Sequence, residues 1–175
     1  MCRKEGAEFV PVNGDDEAEV QRLSDFATAI VREHFDPLVG KAQNDYMLKK
    51  FQSPEAIREQ IAGGYRYYWM KDGGRPVGFT AFYPRDGKMY LSKFYIEKKC
   101  RGKGYARQMF DFLVTETKKA GLPAIFLNVF RGNTEVAAIY RHLGFAVIRE
   151  EEGDIGGGFR TVAYVMEYRL PEQSA

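Results

Sequence analysis

LSKFYIEKKCRGKGYARQMFDF, residues 91–112, reads as a short strand, a basic glycine turn and the opening of a helix. Leu91, Phe94 and Ile96 give an apolar segment rich in β-formers. Met109, Phe110, Leu113 and Val114 then recur at helical spacing, which predicts a helix from about Lys103. A strand that hands directly to a helix through glycine aims unpaired backbone N–H groups at one point. With the positive helix end they make an anion site, most naturally for phosphate. Basic residues at 98, 99, 101, 103 and 107 raise the local positive charge.

Three phosphate-loop patterns compete for this turn. The P-loop pattern G-x-x-x-x-G-K-[ST] is absent. A dinucleotide fingerprint fails because Arg107 stands where a glycine or alanine must pack, and Ala124–Phe130 ends in no acidic residue. The third, R-x-x-G-x-A, is met by Arg101, Gly104 and Ala106. The turn alone leaves open a plainer alternative, a glycine turn before a surface helix with solvated lysines.

The 175 residues are enough for one domain with a full core, and 45% hydrophobic with 29% charged residues is an ordinary globular balance. A net charge of +2 gives no reason to expect nucleic acid as a partner. No apolar run could span a bilayer, and Met1–Glu5 leads into no signal-peptide core, so no membrane partner and a cytoplasmic location are expected. Cys2 and Cys100 form no framework of disulfides or metal ligands. Cys100 sits beside the phosphate loop, where a thiol ionises more easily, yet no base partner points to a nucleophile.

Along the chain, strands are expected at Glu8–Val12, Tyr65–Met70, Pro76–Tyr83, Lys88–Ile96, Ala124–Phe130, Phe145–Glu150 and Phe159–Leu170. Helices are expected from Asp15 to about Arg32, with Pro37 breaking the chain after it, and over a second stretch in two pieces, Asp45–Phe51 and Ser53–Ile61. Two more follow, one ending near Ala120-Gly121 and one from an Asn133 N-cap to Leu143. The order β-α-α-β-β-β-α-β-α-β-β is a mixed α/β sheet flanked by helices, mostly antiparallel. The crossover helix makes 88–96 and 124–130 a parallel pair if they are neighbours.

A second constellation lies downstream: Leu127-Asn128-Val129-Phe130-Arg131-Gly132-Asn133, then Ala137, Tyr140 and Gly144-Phe145. Taken singly, Asn133 also reads as a helix cap and Tyr140 as a core aromatic. Together with Arg101-x-x-Gly104-x-Ala106, the set resembles the GNAT N-acetyltransferase superfamily over about residues 75–170, with Val136 a mild departure from its pattern. The resemblance implies a single GNAT-type domain and acetyl-CoA as cosubstrate, with no metal. It also implies that backbone groups of Phe94, Tyr95 and Ile96 bond the pantetheine arm and that amides of Arg101, Gly102, Lys103, Gly104, Tyr105 and Ala106 hold the pyrophosphate. Arg107 or a nearby lysine meets another phosphate, Asn133 bonds near the thiol end, and Tyr140 is the general acid for the departing thiolate. With an ordinary tyrosine near about 10 and a thiol near about 8.5, that transfer is modestly uphill. The general base stays open among Glu, Asp and a bound water; neither His34 nor His142 stands in a catalytic pattern.

For the acceptor, Asn44–Leu48, Phe51, Ser53–Gln60 and the Ile155–Met166 stretch look like the bacterial spermidine/spermine branch, more loosely than the coenzyme motifs match. Glu150-Glu151-Glu152 and Asp154, placed between the last two strands, could steer a polycation or form a solvated face. Phe35, Tyr46, Tyr83 and Tyr90 are candidates to line an acceptor pocket. A small-molecule amine, foremost a polyamine, is the expected partner. An amino acid, an antibiotic amine, a protein N-terminus and a non-catalytic coenzyme A-binding module remain as alternatives, and the resemblance is compatible with a homodimer.

Overall fold

A computed structural model describes residues 6–172. Its elements run β1 (Glu8–Pro11), α1 (Glu17–Val39), α2 (Lys41–Phe51), α3 (Pro54–Ala62), β2 (Arg66–Asp72), β3 (Arg75–Arg85) and β4 (Lys88–Ile96). After a 3-10 turn at Lys98–Cys100 come α4 (Tyr105–Lys119), β5 (Ala124–Phe130), α5 (Thr134–Leu143), β6 (Ala146–Gly156) and β7 (Phe159–Arg169). The strands form one mixed sheet in the order β1-β2-β3-β4-β5-β7-β6. As expected, the crossover through α4 makes β4 and β5 parallel, but their pairing covers only Met89↔Ile125 and Tyr90↔Phe126.

Two expectations are corrected. Pro37 does not break α1, which continues to Val39. The proline has no N–H to give and costs one helical bond, but the ladder continues past it, with the Gly40 N–H bonded to the Asp36 carbonyl at 3.0 Å. The acidic run is not between the last two strands but inside β6, which pairs with β7 as far as Gly156↔Phe159. The Ser53 cap forms as read: its hydroxyl accepts from the Ala56 N–H at 3.2 Å.

The chain packs as two compact units, one reaching to Ala81 and resuming over Lys93–Ala106, the other Phe82–Ser92 and the chain from Arg107 onward. In the first, the apolar stripe of α1 (Val20, Leu23, Ala27) and Ile57 of α3 meet Tyr67, Trp69, Phe79 and Ala81, all buried. Phe26 sets its edge against Trp69 and Phe79 at 5.6 and 6.2 Å between centroids, and Trp69 Nε1 donates to Glu19 at 3.2 Å. In the second, Phe110 lies 5.8 Å from Phe145 and 5.0 Å from Tyr168, and Lys88 pairs with the nearly buried Glu167.

One buried group stands out among these apolar contacts. Lys93, 4% exposed, alternates along β4 with the buried Met89 and Leu91, so the pleat turns it inward. Its Nζ donates to the Phe51 carbonyl at 2.6 Å and to Gln52 Oε1 and Gln60 Oε1 at 3.0 Å each, and it also bonds the Tyr67 hydroxyl. No carboxylate is among these partners, and burial pushes its pKa down from 10.5 to about 7. The unfolded chain therefore holds more protons than the fold between those values, and stability rises with pH across that window. Melting temperatures measured from pH 7 to 10 should climb more steeply for the wild type than for Lys93→Met; equal slopes would contradict the assignment.

Candidate active site

Glycine conformation makes the turn between β4 and α4. Gly102 and Gly104 have φ of +76° and +86°, a region open to glycine and strained for other residues. A Cβ built on either meets no atom within 4 Å, so the space over the turn is open, as a phosphate cradle requires. Arg101, Gly102 and Gly104 are exposed and Lys103 and Ala106 half-buried. The amides from 101 to 106 follow Phe94–Ile96 in the chain within one unit.

Two side chains of this turn have structural work that sequence did not reveal. Arg101 Nε donates to the Ile96 carbonyl at 3.1 Å, tying the turn to the end of β4. Tyr105 is buried, and its hydroxyl donates to the Asp72 carboxylate; burial first and Asp72 second raise its pKa to about 12. Tyr105 therefore offers a ligand its backbone, not its ring. Lys98 and Lys99 face Glu33 at 3.4 Å and Glu97 at 3.2 Å, exposed pairs that an anion could compete for. Arg107 lies 3.7 Å from Asp111, again largely exposed.

Cys100 corrects one expectation: it is disulfide-bonded and buried, not a free thiol beside the loop. Cys2 lies outside the described residues. Among the described residues no cluster of acids, histidines and cysteines could hold a metal ion, and no helix is long and apolar enough to cross a membrane.

The second unit carries Arg107, Asn133 and Tyr140. Asn133 occupies the N-cap position of α5, yet its side chain makes no capping bond there and is 5% exposed. Its backbone N–H instead bonds the Phe130 carbonyl at 2.8 Å, closing the turn out of β5. Tyr140 is 8% exposed on the inner face of α5 and sets its ring edge-on to Phe145 at 5.5 Å. His142 lies exposed in the last turn of α5, and His34 packs its ring on Phe35 at 4.8 Å.

The acceptor-lining candidates divide. Tyr83 and Tyr90 pack 5.4 Å apart, with Phe126 5.0 Å beyond Tyr90 and the Arg85 guanidinium 5.2 Å above the Tyr90 ring. Burial first, then the neighbouring Tyr83, pushes the Tyr90 pKa up, so the phenol stays neutral beside Asn128. Phe35 and Tyr46 lie in the other unit. In the acidic run, Glu150 stands 3.7 Å from Arg131, and Glu151 2.8 Å from Arg149. The Asp154 carboxylate accepts from the Gly156 N–H at 2.7 Å.

Compared with protein families, residues 29–145 match the family described as acetyltransferase (GNAT). The chain belongs to that family. It is accordingly an acetyl-CoA-dependent N-acetyltransferase, with the mixed α/β fold built above. Solved structures with the same fold include PaiA N-acetyltransferase of Thermoplasma acidophilum in complex with coenzyme A, at 16% identity and TM-score 0.76, covering 95% of this chain and 100% of that one. The ribosomal-protein-S18-alanine N-acetyltransferase of Escherichia coli is 15% identical, with TM-score 0.67 and 96% of each chain covered. YncA of Salmonella typhimurium, solved with its cofactor acetyl-CoA, is 17% identical, with TM-score 0.63 and 98% of each chain covered. At these identities the likeness shows the fold. No curated protein matches the chain.

Gly104→Glu puts both a strained backbone and a carboxylate into the open cradle. Calorimetric titration should show acetyl-CoA binding abolished while the melting curve stays cooperative; unchanged affinity would remove the pyrophosphate assignment.

Proposed function

We propose that this GNAT domain acetylates the primary amine of a small acceptor, foremost a polyamine, with each residue named below in the role given to it. The observation that carries the cofactor half is the short β4–β5 pairing, which ends at Tyr90↔Phe126 while β4 runs on to Ile96. The amides of a pantetheine arm laid along Phe94, Tyr95 and Ile96 bond the backbone there as an added strand would. Amides of Arg101 to Ala106 hold the pyrophosphate over the open turn, and Arg107, released from its exposed Asp111 pair, meets a further phosphate. Asn133, buried at the start of α5, bonds the arm near its thiol end.

Acetyl-CoA supplies an electrophilic thioester carbonyl and a thiolate leaving group. The acceptor amine, once deprotonated, forms the C–N bond as the C–S bond breaks, and the sulfur leaves with that electron pair. Tyr140 gives its phenolic proton to the departing sulfur, and the proton that the acylated nitrogen sheds returns through water to the phenolate, with no covalent enzyme intermediate.

Support for a polyamine comes from the acidic stretch Glu150–Asp154 on the exposed strand β6. Its pull is smaller than the residue count suggests, because Arg131 and Arg149 neutralise two of the carboxylates. Glu152 and Asp154 are the members with no ion pair among the described residues, and they are the first to meet an incoming cation. With saturating acetyl-CoA and an accepted amine, Tyr140→Phe should lower kcat by roughly 10²-fold or more while coenzyme binding is largely kept. A variant turning over at the wild-type rate would sink the general-acid role.

A further inference from the structure

Among the described residues of the first unit, Lys93 is a buried basic group that the proposed chemistry does not use. Its side chain reaches three elements besides its own strand: the C-terminal end of α2 through Phe51 and Gln52, α3 through Gln60, and β2 through Tyr67. Those partners also hold one another. Gln60 Nε2 donates to the Phe51 carbonyl at 3.1 Å, the Tyr67 hydroxyl donates to Gln60 Oε1, and Ser24 of α1 donates to the Gln52 carbonyl at 2.6 Å. Four oxygens surround the Lys93 nitrogen, enough to take every N–H it carries whether it is charged or neutral. Such a network costs desolvation and is a weak source of net stability, so its worth lies in fixing one arrangement of the elements it joins.

What it fixes is the strand segment that follows. The Lys93 carbonyl accepts from Thr80 Oγ1 at 2.7 Å. Two residues on, Tyr95 stacks on Phe79 at 5.3 Å, and the Glu97 N–H bonds the Val77 carbonyl at 2.8 Å. Phe94–Ile96 therefore lies between a clamp at Lys93 and the Arg101 bond at Ile96. We propose that Lys93 is a positioning residue for the acyl donor: it ties the α2–α3 junction to β4 immediately before the residues that receive the pantetheine arm. This rests on the reading of Phe94–Ile96 as the thioester strand. A movement of a few tenths of an ångström in that strand misplaces every backbone bond along a linear ligand.

The test separates positioning from bulk stability. Lys93→Met keeps the length of the side chain and removes the donors. Titrated with acetyl-CoA well below its melting temperature, it should bind about tenfold or more weakly than wild type at unchanged stoichiometry, while Gly73→Ala on the β2–β3 turn binds as wild type does. A lower melting temperature with unchanged affinity would overturn the proposal and leave Lys93 a structural group. Should Lys93→Met fail to fold, Gln52→Leu removes one acceptor and no charge and replaces it in the same assay, where weakened or unchanged affinity decides in the same way. A wild-type protein that binds no acetyl-CoA would overturn the cofactor reading itself, and this inference with it.

Discussion

A strand inside a sheet bonds its backbone to neighbours on both sides, and β4 pairs with β5 through Met89↔Ile125 and Tyr90↔Phe126 while it runs on to Ile96. The proposed cofactor site depends on that geometry. The proposal lays a linear, amide-bearing ligand along Phe94–Ile96 as a further strand. The chain then bends at once into a turn with two left-handed glycines, over which the space is open. A strand edge and a helix N-terminus are thus supplied by about a dozen consecutive residues.

Around that stretch, side chains hold the backbone in place. Arg101 fastens the turn to Ile96, Tyr105 anchors the start of α4 on Asp72, and Lys93 binds the α2–α3 junction. Basic residues that look like free phosphate ligands in the sequence mostly have exposed acidic neighbours. Exposed pairs of this kind contribute about 0–1 kcal/mol, so they give way readily to a polyphosphate.

Much of this was legible in the residues. The glycine turn, the parallel crossover and the Asn133–Tyr140 helix all stand where spacing and resemblance put them, because each is set by local chemistry within a few residues. Pro37 misled, since a proline costs a helix one backbone bond without always ending it. The acidic run misled because β6 is an exposed strand whose apolar signal fades into glutamates, while its pairing with β7 continues. Asn133 sits at the cap without capping, which only the side-chain bonds reveal. The period-two alternation Met89, Leu91, Lys93 did contain a signal for the buried lysine. Its partners lie 26 to 42 residues away in sequence, so no local pattern could name them.

The account makes this chain an enzyme whose donor is held by backbone and whose acceptor is a free amine. Thiol release from acetyl-CoA, followed across spermidine, spermine, α-amino acids, aminoglycosides and peptide N-termini, tests that most directly. The account predicts release that depends on the amine and is fastest with a polyamine. Acetyl-CoA bound tightly with no amine accelerating thiol release would contradict it.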